Sequence, residues 1–386
     1  EGESVDGRSV GRLALVRRLA ASGVVLATLA LAACSPPEPI AVGFIGGTSG
    51  RAADLGIAGR DAVQLAVDLR NRSGGVAGRQ VKLLIHDDEQ QPEVAQRVVR
   101  ELIDQRVVAI VGPMTSAMAM AVVPIANEAR VLLMSPTATT DALTGVDDHF
   151  LRVNSSTHEN AARMARHLLR QDAGRSVAAI YDSSNKSYAE SWLADFRASY
   201  VQGGGEVVKV ASFASGSETT FRQLAIDLLA TRPGAVLVVA NSMDTALLCQ
   251  QLRQLDRGVL IIASGWAATE RLLELGGKAV EGLTVVQDFD RNSSAPRYLA
   301  FRQAYRERFH REPGFGGVIA FDAANVVLDA LAKQRAGQTV KEAVLALKHF
   351  EGVQESLTFD EFGDVKRSIV VTAVRDGQFV VVEHGG

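Results

Sequence analysis

The feature that most constrains this chain is an alternation of short apolar runs with longer amphipathic ones. It is met once over residues 40–134 and again over 163–287. Ile40-Ala41-Val42-Gly43-Phe44-Ile45 has the content of a buried strand. Residues 60–72 place Ala62, Val63, Leu65, Ala66 and Leu69 on one helical face and stop at Gly74-Gly75, where glycine ends helices well. The same reading predicts strands at 81–86, 107–111 and 131–134, and helices at 92–105 and 116–129. Pro92 sits in a first turn, where its missing N–H costs nothing. The second set has helices at 163–169, 189–201, 218–230 and 244–256 and strands at 177–181, 206–213, 235–240, 259–263 and 283–287. Helices at 296–309 and 316–335 follow, then strands at 369–374 and 379–382. Strands separated by helices pair in parallel through crossovers, and helices cover both faces. The predicted fold class is therefore α/β, with two Rossmann-like lobes and parallel central sheets.

Composition bounds the partners. The chain has 386 residues, 47% hydrophobic, with a formal net charge of −3. Nothing in that balance points to nucleic acid. The two cysteines, Cys34 and Cys249, make no disulfide framework, and no Cys/His cluster has zinc spacing. No cofactor and no metal are expected. Arg8, Arg12, Arg17 and Arg18 precede an apolar run over 19–33, the layout of an export signal. Leu31-Ala32-Ala33-Cys34 resembles the lipobox of bacterial lipoproteins. That resemblance implies a signal peptide over 1–33, a lipid on Cys34 and anchorage to a membrane. Residues 34–39 then read as a stiff, proline-rich tether. No other segment reads as long and apolar enough to span a bilayer. Cys249 reads as a small buried helix residue.

Several motifs are missing. Phe44-Ile45-Gly46-Gly47-Thr48-Ser49-Gly50 lacks GxGxxG spacing, and no P-loop, HExxH or GxSxG occurs. Asp87-Asp88-Glu89 and Asp147-Asp148-His149 are carboxylate clusters that read as solvated loops. No enzyme is expected.

Two loops carry the strongest local signal. In open parallel sheets, ligands bind beyond the carboxyl ends of strands. Gly112-Pro113-Met114-Thr115-Ser116 lies there, just before a helix whose first N–H groups are free and suit an anion. Ser135-Pro136-Thr137-Ala138-Thr139-Thr140 offers a second set of hydroxyls and backbone groups. Ser116 reads equally well as a helix cap, and Thr137 and Thr139 as turn formers.

The ordered set Gly112-Pro113 with Ser116, Pro124-Ile125-Ala126, Leu133-Met134-Ser135-Pro136-Thr137-Ala138-Thr139 and Leu143-Thr144 resembles the type I periplasmic binding proteins of the leucine/isoleucine/valine-binding kind. So do Gly59-Arg60-Asp61-Ala62, Gly74-Gly75-Val76-Ala77-Gly78, Tyr188-Ala189, Ala279-Val280-Glu281-Gly282 and Phe359-Asp360 with Gly363-Asp364. The resemblance covers about 40–384. It implies two lobes joined by three hinge strands, 40–155 with 288–350 and 156–287 with 351–386, closing on a ligand. By resemblance Ser116, Thr137 and Thr139 hold its carboxylate and ammonium, with Ser135 and Ala138 in the same loop. Leu55 stands where the family often has an aromatic ring, and Tyr188 covers the ligand from the second lobe.

One departure is informative. The family usually places an acid after the strand at 259–263, facing the ligand ammonium; here Gly265-Trp266 stands there. Asp244, beside Asn241, or Glu270 substitutes, or else the ligand lacks an ammonium. Asp244 reads also as a helix cap. Trp266 reads as ligand stacking or as packing between lobes. The expectation is an extracytoplasmic, periplasmic binding lipoprotein of an ABC importer. It is a monomer that delivers a branched-chain amino acid or an aromatic carboxylate to a permease. A sensor or regulator on the same fold is the alternative.

Overall fold

The computed structural model describes residues 37–171, 175–216 and 218–384. The export segment, Cys34 and the start of the tether lie outside the described residues.

The first set of elements is β1 (Ile40–Gly46), α1 (Ala53–Arg72), β2 (Val81–Asp87), α2 (Pro92–Asp104), β3 (Ala109–Val111), α3 (Ser116–Ala129), β4 (Leu132–Ser135) and β5 (Phe150–Arg152). Its five strands form one parallel sheet in the order β2-β1-β3-β4-β5. The second set is α4 (Thr157–Leu169), β6 (Ser176–Asp182), α5 (Lys186–Gln202), β7 (Glu206–Phe213), α6 (Phe221–Leu229), β8 (Ala235–Val239), α7 (Ser242–Leu255), β9 (Leu260–Ala263), α8 (Glu270–Gly276) and β10 (Thr284–Gln287). The chain continues through α9 (Pro296–Phe309), α10 (Phe315–Lys333), α11 (Val340–Leu347), β11 (His349–Glu351), β12 (Ser356–Thr358), β13 (Val370–Arg375) and β14 (Gln378–His384). The second sheet runs β14-β13-β10-β9-β8-β6-β7. It is parallel except at one end, where β13 and β14 add antiparallel strands.

Period-two alternation decides what each sheet face buries. Val177 and Ala179 of β6 join Trp192 and Phe196 of α5, whereas Ala178 and Ile180 join Ala246 and Cys249 of α7. Cys249 is fully buried, and burial pushes its thiol up to about 12. In the first lobe, α2 and α3 cover one face through Val98, Leu102, Met118 and Val122. The other face lies under α1 and α10.

Three expectations change here. Helix α1 begins at Ala53, not 60. Its first turns contain Gly56, where a Cβ would lie 1.9 Å from the Gly47 carbonyl oxygen, so the helix can pass the β1 loop only without a side chain there. Helix α10 is long and apolar enough to cross a membrane by length and composition. It is instead a core helix, buried through Val318, Ile319, Ala320, Ala323 and Val327. The segment after β12, expected with the second lobe, lies against β5: Arg152 N–H donates to Gly363 O at 3.1 Å and Arg152 Nε to Asp364 Oδ1 at 2.7 Å.

The chain passes between the sheets at 153–156, 288–295 and 359–369. Arg367, nearly fully buried, ties the first and third passages: its N–H donates to Ser155 Oγ at 2.9 Å and Nη1 to Val153 O at 3.1 Å. Its charge is met by Asp322 Oδ2 at 2.7 Å and Glu355 Oε1 at 3.2 Å. Gln354 fastens the second passage, donating to Asp290 O at 2.6 Å.

Candidate functional site

The carboxyl ends of β3 and β4 deliver the two hydroxyl loops side by side. Ser116 Oγ accepts the backbone N–H groups of Thr139 and Thr140, each at 3.2 Å. Thr137 Oγ1 donates to Met114 O. Ser135 Oγ donates to Pro113 O at 2.7 Å and accepts Ala138 N–H at 3.2 Å. Thr115 is the N-cap of α3 without a capping bond. Its Oγ1 is buried with no hydrogen-bond partner.

From the second lobe, α5 turns Tyr188 and Trp192 toward these loops, one helical turn apart. Trp266 follows β9 in a tight turn and meets Tyr188 edge to face, ring centroids 5.8 Å apart at 79°. The enclosed space is a cavity of about 570 Å³, counting its mouth. Leu55, Thr115, Ser116, Thr137 and Thr139 line it from the first lobe, with Phe315 and Ile319 of α10. Tyr188, Trp192, Gly265 and Trp266 line it from the second, and Asn154, Thr157, Asn160, Gln287 and Asp288 stand at or next to the passages between lobes.

The lobes touch across this cleft. Asn185 Oδ1 accepts the Ala117 N–H of the first turn of α3 at 2.9 Å. Arg51 Nε donates to Asp244 Oδ1 at 2.9 Å, and Ser242 Oγ to Asp54 Oδ2 at 2.7 Å. Ser191 of α5 donates to Asp141 Oδ2 at 3.1 Å.

Of the residues expected at a site, the structure gathers Leu55, Ser116, Thr137, Thr139, Tyr188 and Trp266 around one cavity. Ser135 and Ala138 are fully buried behind it, bracing the loop. Asn241 and Asp244 are elsewhere. Asn241 caps α7 by accepting Asp244 N–H at 2.9 Å, and the Asp244 carboxylate is taken up by Arg51, Ser215 and Asn241. Glu270 pairs with Arg291 outside the cavity. Neither acid therefore replaces the one that the loop at 265 lacks. No side chain fits at 265 itself: a Cβ there would meet Val286 O at 2.6 Å.

The acid of this cavity is Asp288, which sequence reasoning missed. It follows β10 directly, and its place beyond a strand's carboxyl end was the signal available. Asn160 Nδ2 donates to Asp288 Oδ2 at 2.9 Å, while Oδ1 is buried without a partner. Burial pushes this carboxyl up to about 6 against the Asn160 bond, the charge of Arg367 and the Ser155 hydroxyl, which favour ionisation. Asn160 Oδ1, Gln287 Oε1 and Trp192 Nε1 are likewise buried without partners. Unpaired buried polar groups cost about 1–3 kcal/mol each, so a polar ligand able to meet them gains that much. The two acidic clusters are not part of the cavity. Asp87 and Asp88 fasten their own loop, accepting from Thr48, Glu89 and Gln90.

Comparison with known proteins agrees with this architecture. A family model described as periplasmic binding protein matches residues 39–378. The Leu/Ile/Val-binding protein homolog 3 of Brucella melitensis biotype 1 is 25% identical over 376 residues, 95% of this chain and 99% of that protein. The solved structure of the leucine-binding protein LivK of Thermotoga maritima matches with a TM-score of 0.83 at 26% identity, covering 90% of this chain and 99% of that one. A solute-binding protein of an ABC transporter from Rhodopseudomonas palustris, solved with 3,4-dihydroxybenzoic acid, shares the fold with a TM-score of 0.80 at 22% identity, covering 90% and 97%. With the hydroxyl loops, the two lobes and the three passages between them, this chain belongs to the periplasmic binding protein family, in the type I fold of its leucine/isoleucine/valine-binding members.

Proposed function

We propose that this protein is the extracytoplasmic solute-binding component of an ABC importer, lipid-anchored through Cys34. It holds a small, largely apolar, carboxylate-bearing ligand between lobes formed by 40–155 with 288–350 and by 156–287 with the C-terminal strands. The observation that carries this reading is one cavity with two unlike walls. The hydroxyls of Ser116, Thr139 and Thr115, beside the positive amino end of α3, offer hydrogen bonds to an anion. Tyr188, Trp192, Trp266 and Phe315 offer an apolar, aromatic enclosure. A ligand that touches both walls binds the closed form more tightly than the open one, which is what lets it shift the lobes; the contacts across the cleft favour closure with or without it. The relatives named for leucine, isoleucine and valine, and the neighbour solved with a dihydroxybenzoate, set the range: a branched-chain amino acid or an aromatic carboxylate. No step of chemistry on the ligand is needed.

The test is thermal unfolding against both classes. A ligand at a hundred times its dissociation constant stabilises the fold by about 2.7 kcal/mol. A raised midpoint with any small carboxylate, lost in Ser116→Ala, supports the reading. Hydrolysis or other turnover of the bound compound would replace it with an enzymatic one.

A further inference from the structure

We infer that Asp288, oriented by Asn160, is the receptor for a protonated amine on the ligand. The inference rests on the solute-binding reading and narrows it to nitrogen-bearing ligands.

Three side-chain oxygens in this part of the cavity lining lack partners: Asp288 Oδ1, Asn160 Oδ1 and Gln287 Oε1. Their residues are only 8%, 9% and 3% exposed. All three are acceptors. The bond from Asn160 Nδ2 to Asp288 Oδ2 fixes which end of the amide is oxygen, and the Gln287 Nε2 bond to Ala268 O does the same there. A carboxylate ligand brings only more acceptors. An ammonium brings three donors and the opposite charge. The acid usual in this fold after the strand at β9 is sterically shut out by Val286 O, so the counter-charge enters from the passage after β10 instead.

The charged and titratable groups acting on Asp288 are Arg367 from the third passage, Glu355 beyond it and the Tyr188 hydroxyl from α5, with the neutral Asn160 and Ser155. Arg367 already answers Asp322 and Glu355, so it does not close Asp288 Oδ1.

The experiment uses the full chain and isothermal titration calorimetry. The probes are L-leucine, its desamino analogue 4-methylpentanoate, 4-aminobutanoate, benzylamine and benzoate. The expected result is that at least one amine binds ten-fold or more tightly than the amine-free probe nearest it in shape. In Asp288→Asn that ratio collapses toward one. A second readout needs no variant: between pH 7 and pH 5 the amine's affinity falls as Asp288 takes up a proton, while that of benzoate, which stays largely ionised over this range, does not fall in step. Leucine against 4-aminobutanoate distinguishes an α-amino acid from one with a more distant amine. If benzoate or 4-methylpentanoate binds and no amine does, the inference is overturned and the solute-binding reading stands. An unchanged ratio in a folded Asp288→Asn protein also overturns it. Should no probe bind at millimolar concentration, both fall.

Discussion

The hydroxyl of Ser116 accepts two successive backbone N–H groups, Thr139 at 3.2 Å and Thr140 at the same distance, so one side chain joins the loops after β3 and β4. Ser116→Ala removes that acceptor and leaves two buried donors unpaired. The expected outcome is a loss of about 2 kcal/mol of folding stability even without ligand, measured by urea unfolding. A variant as stable as the parent would show that the loops are held together by something else.

The ion pair Arg51–Asp244 spans the cleft, with Asp244 fully buried. Parting the lobes rehydrates Asp244, so losing Arg51 penalises closure more than folding. Arg51→Ala is expected to weaken ligand affinity roughly tenfold, about 1.4 kcal/mol, with little change in the unliganded melting point. Calorimetry beside a thermal scan separates the two effects; a large fall in the unliganded midpoint would contradict it.

Asp141 and Asp195 also face each other across the cleft. Burial and the neighbouring Asp141 push Asp195 up to about 6. The same burial acts on Asp141, but its bonds to Asp195, Thr157 and Ser191 hold it below the usual range. The native protein therefore keeps a proton on Asp195 that the unfolded chain releases near 3.8. That contribution is whole below 3.8 and is lost as pH rises through 6. His158, raised chiefly by its bond to Asp195, acts with the same sign. Asp141→Asn supplies a neutral donor instead. Its melting point should exceed the parent's by about 1–2 °C at pH 7.5 and match it at pH 5. Equal differences at both pH values would count against the pair.

Gly265→Ala tests the closed position after β9. A methyl 2.6 Å from Val286 O forces β9 and β10 apart next to Trp266. The expected cost is about 1–3 kcal/mol, read as a lowered thermal midpoint. A fully stable variant would reopen that loop as a place for an acid.

Much of the fold was legible because helices and strands here keep their own periods. Strand 206–213 and helix 296–309 fall where the sequence places them, and the loops at 112–116 and 135–140 lie together as their strand ends require. What was missed has local reasons. Gly56 and Gly59 disguise the first turns of α1, and β5, β11 and β12 are three residues each, too short for a period to register. Sequence reading offers Asp244, after the strand at 235–240, and Glu270, at the end of the expected loop, as the acid. Their partners, Arg51 and Arg291, come from distant parts of the chain, and no local pattern reveals such a pairing. Asp288 depends on the second passage folding back beside α4, again a non-local fact.

Arg367 has a mechanical consequence. Its backbone and guanidinium hold the first and third passages, and Gln354 holds the second, so any rotation that parts the lobes turns about this pin. Groups beside a fulcrum travel least. Asp288 and Asn160 lie there, whereas Arg51 and Asp244 belong to opposite jaws. On the proposed solute-binding reading, an incoming solute would find the pocket floor in nearly its final geometry while the jaws still stand apart, and would be gripped first at its base and last by the outer latch.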